Sequence, residues 1–377
     1  METASDITLV LLAAGSSTRF GLPAKKQWLY QGTEPLWLRV AKNFEAAAPF
    51  ARIVIVGAPD ELAYMRLFAP EYRYVSGGSS RQASLRNALA EVETPWVLVN
   101  DIARCCLDPA LLERLLAHKN EAACIVPALP AVDTVYYRNR PVDRSEIRLI
   151  QTPQLSRSAL LSRALETGDF TDESSAIHAL GERVVLIEGS PRAHKLTTPE
   201  DLARLECLEA PASEPLVGTG LDTHAFEAGK AMILGGVPID SPFGFKAHSD
   251  GDVAVHALID ALLGAAGMGD IGEHFPDNDP RWKGADSMRL LEAVVARIRG
   301  CGLTLRHVDL SILAETPRLS PYKEQMRARL AAGLGLPLPR VNVKATTSEK
   351  LGFVGRKEGI TVHAVATLGY FNWKEHL

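Results

Sequence analysis

The stretch Ile7-Thr8-Leu9-Val10-Leu11-Leu12-Ala13-Ala14-Gly15-Ser16-Ser17-Thr18-Arg19 decides how the first half of the chain is read. A near-continuous apolar run meets a turn of small residues and then a cation, with Lys25-Lys26-Gln27 close behind. A strand apolar on both faces belongs inside a parallel sheet rather than at a water-facing one. Further candidate strands follow at Arg52–Val56, Trp96–Asn100, Cys124–Pro127 and Val184–Glu188. Helical patterns separate them, as in Ser84–Val92, where Leu85, Ala88, Leu89 and Val92 recur at helical spacing. The expectation is an α/β domain with a mostly parallel sheet, helices on both faces, and ligands at the carboxyl ends of the strands.

Those ends carry chemistry suited to phosphate. Small residues at 13–15 let backbone N–H groups approach an anion, and Arg19 and Lys26 supply charge. No GxxxxGK[ST] is present, so this is not an ATPase P-loop. Gly77-Gly78-Ser79-Ser80-Arg81-Gln82-Ala83-Ser84 is a turn entering a helix, and Val97-Leu98-Val99-Asn100-Asp101 is a strand ending in an acid that can hold a divalent cation. Arg104, Arg144 and Lys195 stand in later loops. Each element also has an ordinary structural reading, as a tight turn, a helix cap or a loop-capping acid.

The composition changes after Leu205. Residues 206–216, with Glu206-Cys207-Leu208-Glu209-Ala210-Pro211-Ala212-Ser213-Glu214-Pro215, read as a linker between domains at 1–205 and 217–377. Seven of the ten histidines lie beyond Val217, so the second domain has different chemistry. Asp222 and His224 are two apart, on one face of a strand. Ala247-His248-Ser249-Asp250-Gly251-Asp252 leads into a helix at Val253–Ala266 that carries His256. Asp222, His224 and His256 together make a three-ligand site of the kind catalytic zinc uses. Gly269-Asp270-Ile271-Gly272 can accept ribose hydroxyls, and Thr346-Thr347-Ser348-Glu349 can hold a diphosphate with a second cation or simply cap a helix.

Composition excludes several classes. Of 377 residues, 46% are hydrophobic and 23% charged, with a net charge of −4, which fits a two-domain globular protein without a nucleic-acid footprint. No apolar stretch is long enough for a membrane span, and the first residues make a poor signal peptide. Five cysteines without a CxxC spacing point to free thiols in a reducing cytoplasm rather than a disulfide framework.

In this order the first-half elements resemble the 2-C-methyl-D-erythritol 4-phosphate cytidylyltransferases, a Rossmann-like nucleotidyltransferase family. Asp133-Thr134, Thr152-Pro153-Gln154, Thr171-Asp172-Glu173 and Lys195-Leu196-Thr197 continue the match. One stretch departs: Asn100-Asp101-Ile102-Ala103-Arg104-Cys105 stands where the family usually has His-Asp-Ala-(Ala/Gly)-Arg-Pro. The resemblance implies that Ala13, Ala14, Gly15, Arg19, Lys26, Ser84 and Lys195 surround CTP phosphates, with Gly77 and Arg81 near the cytosine. It places Asp101 near Mg²⁺ and Thr134, Arg144 and Thr152 at the methylerythritol phosphate, while Arg104 stands in a loop suited to that second phosphate-bearing substrate.

The second half resembles the 2-C-methyl-D-erythritol 2,4-cyclodiphosphate synthases, an α+β, trimer-forming family with sites between subunits. The resemblance implies Zn²⁺ on Asp222, His224 and His256, and Mg²⁺ or Mn²⁺ on Glu349. His248 and Ser249 would approach the β-phosphate. Asp270 and Gly272 would hold the ribose, Thr346 and Thr347 would contact the nucleotide phosphates, and Phe275, Asp277, Phe353 and Arg356 would bind substrate. The whole chain then reads as a bifunctional cytoplasmic enzyme of non-mevalonate isoprenoid synthesis. It would act on CTP, methylerythritol phosphate and CDP-methylerythritol 2-phosphate, with a separate kinase working between its two steps. The alternative is a cyclase fused to a nucleotidyltransferase of other specificity, or to a nucleotide-binding scaffold without activity.

Overall fold

The computed structural model describes residues 4–247, 249–276, 278–282 and 284–376. It divides into two compact units, Met1–Pro211 with Asn372–Leu377, and Ala212–Phe371.

In the first unit, the strands Arg73–Ser76, Arg52–Gly57, Ile7–Leu12 and Trp96–Asp101 lie side by side and parallel. Val10, Val54, Val56, Val97 and Val99 are buried in one cluster with residues of the Arg81–Leu89 helix, as strands covered on both faces require. Beyond Trp96–Asp101 the mostly parallel sheet takes in its antiparallel members. Gln154–Arg157 enters antiparallel between that strand and Cys124–Pro130, and Arg148–Ile150 also pairs antiparallel with Cys124–Pro130. Val184–Glu188 restores the parallel direction on Cys124–Pro130. Only four residues long, Gln154–Arg157 has no alternation by which the sequence could announce it. The helix expected from Ser84 begins at Arg81, because Ser80 caps it by accepting from the Ala83 N–H at 3.0 Å.

The second unit is built on a five-stranded sheet among the described residues, in the order Phe243–Phe245, Leu216–Ala228, Gly359–Tyr370, Leu303–Leu313 and Val341–Thr346. The Val253–Ala266 helix lies directly on the Leu216–Ala228 strand. A Cβ on Gly220 would stand 2.0 Å from the Ala257 carbonyl oxygen, so only glycine admits this approach. Gly218, Gly220, Asp222 and His224 alternate onto that same face, which brings Asp222 and His224 beside His256.

Two expectations about the ends of the domains and the cysteines need correction. The last residues, from Asn372, belong to the first unit: Trp373 is buried there and its indole N–H donates to the Tyr30 carbonyl at 2.9 Å. The cysteines are not all free thiols either. Cys106 and Cys207 are joined in a disulfide, with Cα atoms 5.5 Å apart. They are 101 residues apart in sequence, and no local spacing could reveal the pair. Cys105, Cys124 and Cys301 remain thiols, and burial pushes those of Cys105 and Cys124 up to about 12. Protein unfolded without reductant should therefore titrate three thiols, and five after reduction; five before reduction would remove the disulfide.

Candidate active sites

Parallel strands bring the loops that follow them to one edge of the sheet. There a cleft of about 490 Å³ is lined by residues 12–19 together with Lys26, Arg81, Ser84, Asp101 and Lys195. The loops are stitched to one another. Ala13 donates its N–H to the Val56 carbonyl at 2.8 Å, and Gly77 to Gly57 at 2.8 Å. The Ala13 amide is thus taken up by the sheet, leaving the amides after it for an anion. A Cβ on Gly77 would sit 2.4 Å from that of Ala14, so glycine lets the two turns meet. Ser84 shapes the same turn, accepting from the Gly78 N–H at 3.0 Å and donating to the Ser80 carbonyl at 2.8 Å.

Asp101 is the hub. One carboxylate oxygen lies 3.0 Å from Arg81 Nε and the other 2.6 Å from Lys195 Nζ. Burial would push the Asp101 carboxyl up, but Arg81 and Lys195 hold it below its usual value. Arg81 also reaches Glu173, whose side chain is wholly buried, at 2.7 Å. Lys26 donates to the Leu196 carbonyl at 3.1 Å, and burial together with Arg19 and Lys195 lowers its ammonium below the usual value. Arg19 is exposed and lines the cleft. The result is a cation-rich pocket around one carboxylate, an arrangement suited to a polyphosphate.

Several expected residues sit elsewhere. Thr152 is buried beneath Asp101, accepting from the Asp101 N–H at 3.3 Å and donating to Asn100 Oδ1 at 3.1 Å. Its hydroxyl therefore props the Asp101 strand instead of facing substrate. Thr134 and Arg144 flank the exposed Val135–Tyr137 and Arg140–Val142 hairpin, outside the cleft, and Arg144 donates to the Val132 carbonyl at 2.6 Å. Arg104 is pinned by the Ala193 and Ile150 carbonyls and lines an adjoining groove that Lys195 shares. Asn100, at the departure from the family pattern, ties the loop internally by donating to the carbonyls of Asp101 and Arg104.

In the second unit a cleft of about 630 Å³ contains Asp222, His224, Ser249, His256, Gly272 and Phe275. His224 Nε2 and His256 Nδ1 lie 3.2 and 3.4 Å from the same oxygen of Asp222. The three ligand atoms fall within 4.8 Å of one another. Hydrogen bonds set the tautomer of both rings. His224 Nδ1 donates to the Gly251 carbonyl at 2.9 Å, leaving Nε2 as a lone pair. Ser287 donates to Asp250 at 2.5 Å and so accepts from His256 Nε2 at 2.9 Å, which turns the Nδ1 lone pair toward Asp222. Two imidazole lone pairs and a carboxylate with outer partners in place fit a zinc-like ion. Burial would raise Asp222, yet without a metal the hydrogen bonds that His224 and His256 make to it hold its carboxyl well below the usual range, and a metal ion would take the place of those two protons.

Asp270 caps the short Ile271–His274 helix, accepting from the Glu273 N–H at 3.0 Å, and Phe275 packs edge-on against Trp282 at 5.0 Å. Lys246 and Asp260 also line the cleft, although sequence reading passed over them. Asp260 lies four residues after His256 on one helix face, a spacing that points to it. Thr346, Thr347, Glu349, Phe353 and Arg356 are exposed and do not line this cleft. Glu349 instead accepts from the Thr347 hydroxyl at 2.8 Å, and Arg356 pairs with Glu358 at 2.9 Å. Spacing identified their residue types but not the surface they face. His248 and Asp277 lie outside the described residues.

Known proteins resemble both halves. Residues 7–209 match the family described as 2-C-methyl-D-erythritol 4-phosphate cytidylyltransferase, and residues 216–369 match the YgbB family. The bifunctional enzyme IspD/IspF of a Sulfurovum species is 58% identical over 98% of this chain and 99% of its own length. That of Campylobacter curvus is 50% identical over 98% of this chain and 99% of its own length. The solved structure of the bifunctional IspDF from Campylobacter jejuni, 44% identical, superposes with a TM-score of 0.90 over 98% of this chain and 99% of that one. Both halves match throughout, which favours the two-enzyme reading over a fusion to another nucleotidyltransferase or to an inactive scaffold. The chain belongs to the bifunctional IspD/IspF family, in which one polypeptide carries a methylerythritol phosphate cytidylyltransferase and a cyclodiphosphate synthase.

Proposed function

We propose that the first cleft binds CTP through Arg19, Lys26 and Lys195, with the 14–19 turn around the phosphates and the Gly77–Arg81 turn toward the cytosine. The observation that carries this reading is the gathering of those cations around Asp101 in one cleft. An oxygen of methylerythritol 4-phosphate attacks the α-phosphorus of CTP in line, a new P–O bond forms, and pyrophosphate leaves. The cations neutralise charge and fix both reactants, which is what phosphoryl-type transfer asks of a protein. Asp101 offers one carboxylate, enough for a Mg²⁺ ligated mainly by nucleotide phosphates and water. Bound there, Mg²⁺ would supply further neutralisation of the phosphates. Arg104, Thr134 and Arg144 are proposed for the acceptor phosphate, although the last two stand on a hairpin outside this cleft.

The second cleft takes CDP-methylerythritol 2-phosphate, whose 2-phosphate a separate kinase adds; that kinase is proposed as a partner of this chain. The 2-phosphate attacks the β-phosphorus, the bond to CMP breaks, and the cyclic diphosphate forms. Asp222, His224 and His256 would hold Zn²⁺, which supplies Lewis acidity toward the attacked phosphate. Ser249 and His248 orient that phosphate, while Asp270, Gly272, Phe275 and Asp277 seat the nucleoside. Thr346, Thr347, Glu349, Phe353 and Arg356 are exposed along the stretch that runs from the end of the Val341–Thr346 strand through the short Gly352–Gly355 helix. In this proposal they complete the cleft of a neighbouring subunit in a trimer, with Mg²⁺ or Mn²⁺ on Glu349. Among the described residues no helix is long and apolar enough to cross a membrane, and a CTP-consuming enzyme is placed in the cytoplasm.

Two variants of the full chain separate the clefts. Arg19→Ala should lower cytidylyl transfer by about 100-fold or more while leaving cyclisation intact, and His224→Ala should do the reverse. Transfer unchanged in Arg19→Ala would remove the first cleft from the reaction. Ser287→Ala leaves His256 Nε2 only its longer 3.2 Å bond to the Ser249 hydroxyl and should weaken zinc retention by about ten-fold in a chelator competition. Retention equal to the unaltered protein would contradict the tautomer assignment.

A further inference from the structure

The cations of the cytidylyltransferase cleft repel one another when no phosphate is bound, so something behind them must keep Lys26 in place. Glu61 is a buried acid, 3% exposed, in the loop between the Arg52–Gly57 strand and the Leu62–Phe68 helix. It stands at the start of that helix, yet its carboxylate makes no capping bond there. Instead it collects donors from the segment that carries Lys26. Lys25 forms an ion pair with one oxygen. Trp28 donates its indole N–H to the other at 2.8 Å, and Gln27 its amide at 3.3 Å. The same Gln27 amide donates to the Gly15 carbonyl at 3.2 Å, while the Lys26 N–H donates to Ser17 Oγ at 3.0 Å. One carboxylate therefore grips residues 25, 27 and 28 and, through Gln27, the phosphate-facing turn.

The geometry points to Glu61 as a positioning residue for cytidylyl transfer, one that preorganises Lys26 and the Gly15–Ser17 turn for the CTP phosphates. A buried carboxylate is costly, and packing alone would be served as well by an apolar side chain of similar volume. Trp28 is already packed against Tyr64, with ring centroids 5.2 Å apart, and needs no acid for its burial. What the carboxylate adds is register: rotating or sliding residues 25–28 would break three bonds at once. Lys26 is then presented to the cleft without relying on an anion to draw it in, which lowers the ordering cost of binding.

This inference rests on the proposed role of the first cleft, and the test separates the two. In the full chain, Glu61→Gln keeps the shape and one acceptor but loses the charge that holds Lys25. It should raise KM for CTP about ten-fold, leave KM for methylerythritol phosphate within about two-fold, and leave the cyclisation rate unaltered. A purely structural role would lower the melting temperature without that split between substrates. A folded Glu61→Gln protein with ordinary KM for CTP overturns the inference. If Glu61→Gln does not fold, Trp28→Phe, which removes a single donor, should raise KM for CTP about three-fold, and no change there overturns it. Lys26→Ala run alongside reports on the cleft itself: wild-type transfer in that variant would sink the reading of the site, not only the part given to Glu61.

Discussion

Charges of like sign must be held within reach of one another before a ligand arrives to neutralise them, and the first unit is organised around that requirement. Arg81, at the start of its helix, and Lys195, in a loop, reach Asp101 from segments that follow different strands, and Arg81 is anchored behind by the buried Glu173. Breaking a buried pair of that kind by removing one partner costs about 3–5 kcal/mol, because a charge is left without compensation. Lys26 has no carboxylate of its own among its described contacts. It leans on a carbonyl and on the backbone register of its segment. The parallel sheet makes this possible by delivering several segments to one edge, where they contribute their charged groups and backbone hydrogen bonds tie the turns together.

The second unit solves a related problem by close packing. Gly220 lets a helix lie on a strand so tightly that Asp222, His224 and His256 share one small volume. The hydrogen bonds behind the two imidazoles then decide which nitrogen faces the third ligand. Outside both clefts stand the hairpin with Thr134 and Arg144 and the stretch from Thr346 to Arg356. Each carries residue types suited to phosphate and each is exposed, so the chemistry written into the chain exceeds what either cleft of one subunit gathers. Assembly of several copies accounts for that excess in the proposed cyclase trimer.

Much of this was legible in the residues. The strands Ile7–Leu12 and Val184–Glu188 and the helix Val253–Ala266 appear where apolar runs and helical spacing place them. The metal-type triad follows from an i, i+2 pair on a strand and one histidine on a helix. The illegible parts share a cause: they depend on contacts between distant segments. The antiparallel Gln154–Arg157 strand owes its direction to its neighbours, and the Cys106–Cys207 pair to the fold as a whole. Thr152 is assigned to substrate only by the family resemblance. Its burial under Asp101 comes from the strand beside it. Glu61 carries no motif at all and gains meaning only from the three donors that surround it.

Cytidylyl transfer is proposed for a cleft whose Asn100–Cys105 loop departs from the family pattern, and ³¹P NMR can follow it. The purified chain is given CTP, methylerythritol 4-phosphate and Mg²⁺. A coupled diphosphate pair of the CDP type should grow together with pyrophosphate. Unchanged CTP, from a preparation that still forms cyclodiphosphate from its own substrate, would contradict this and leave the first unit without the proposed chemistry.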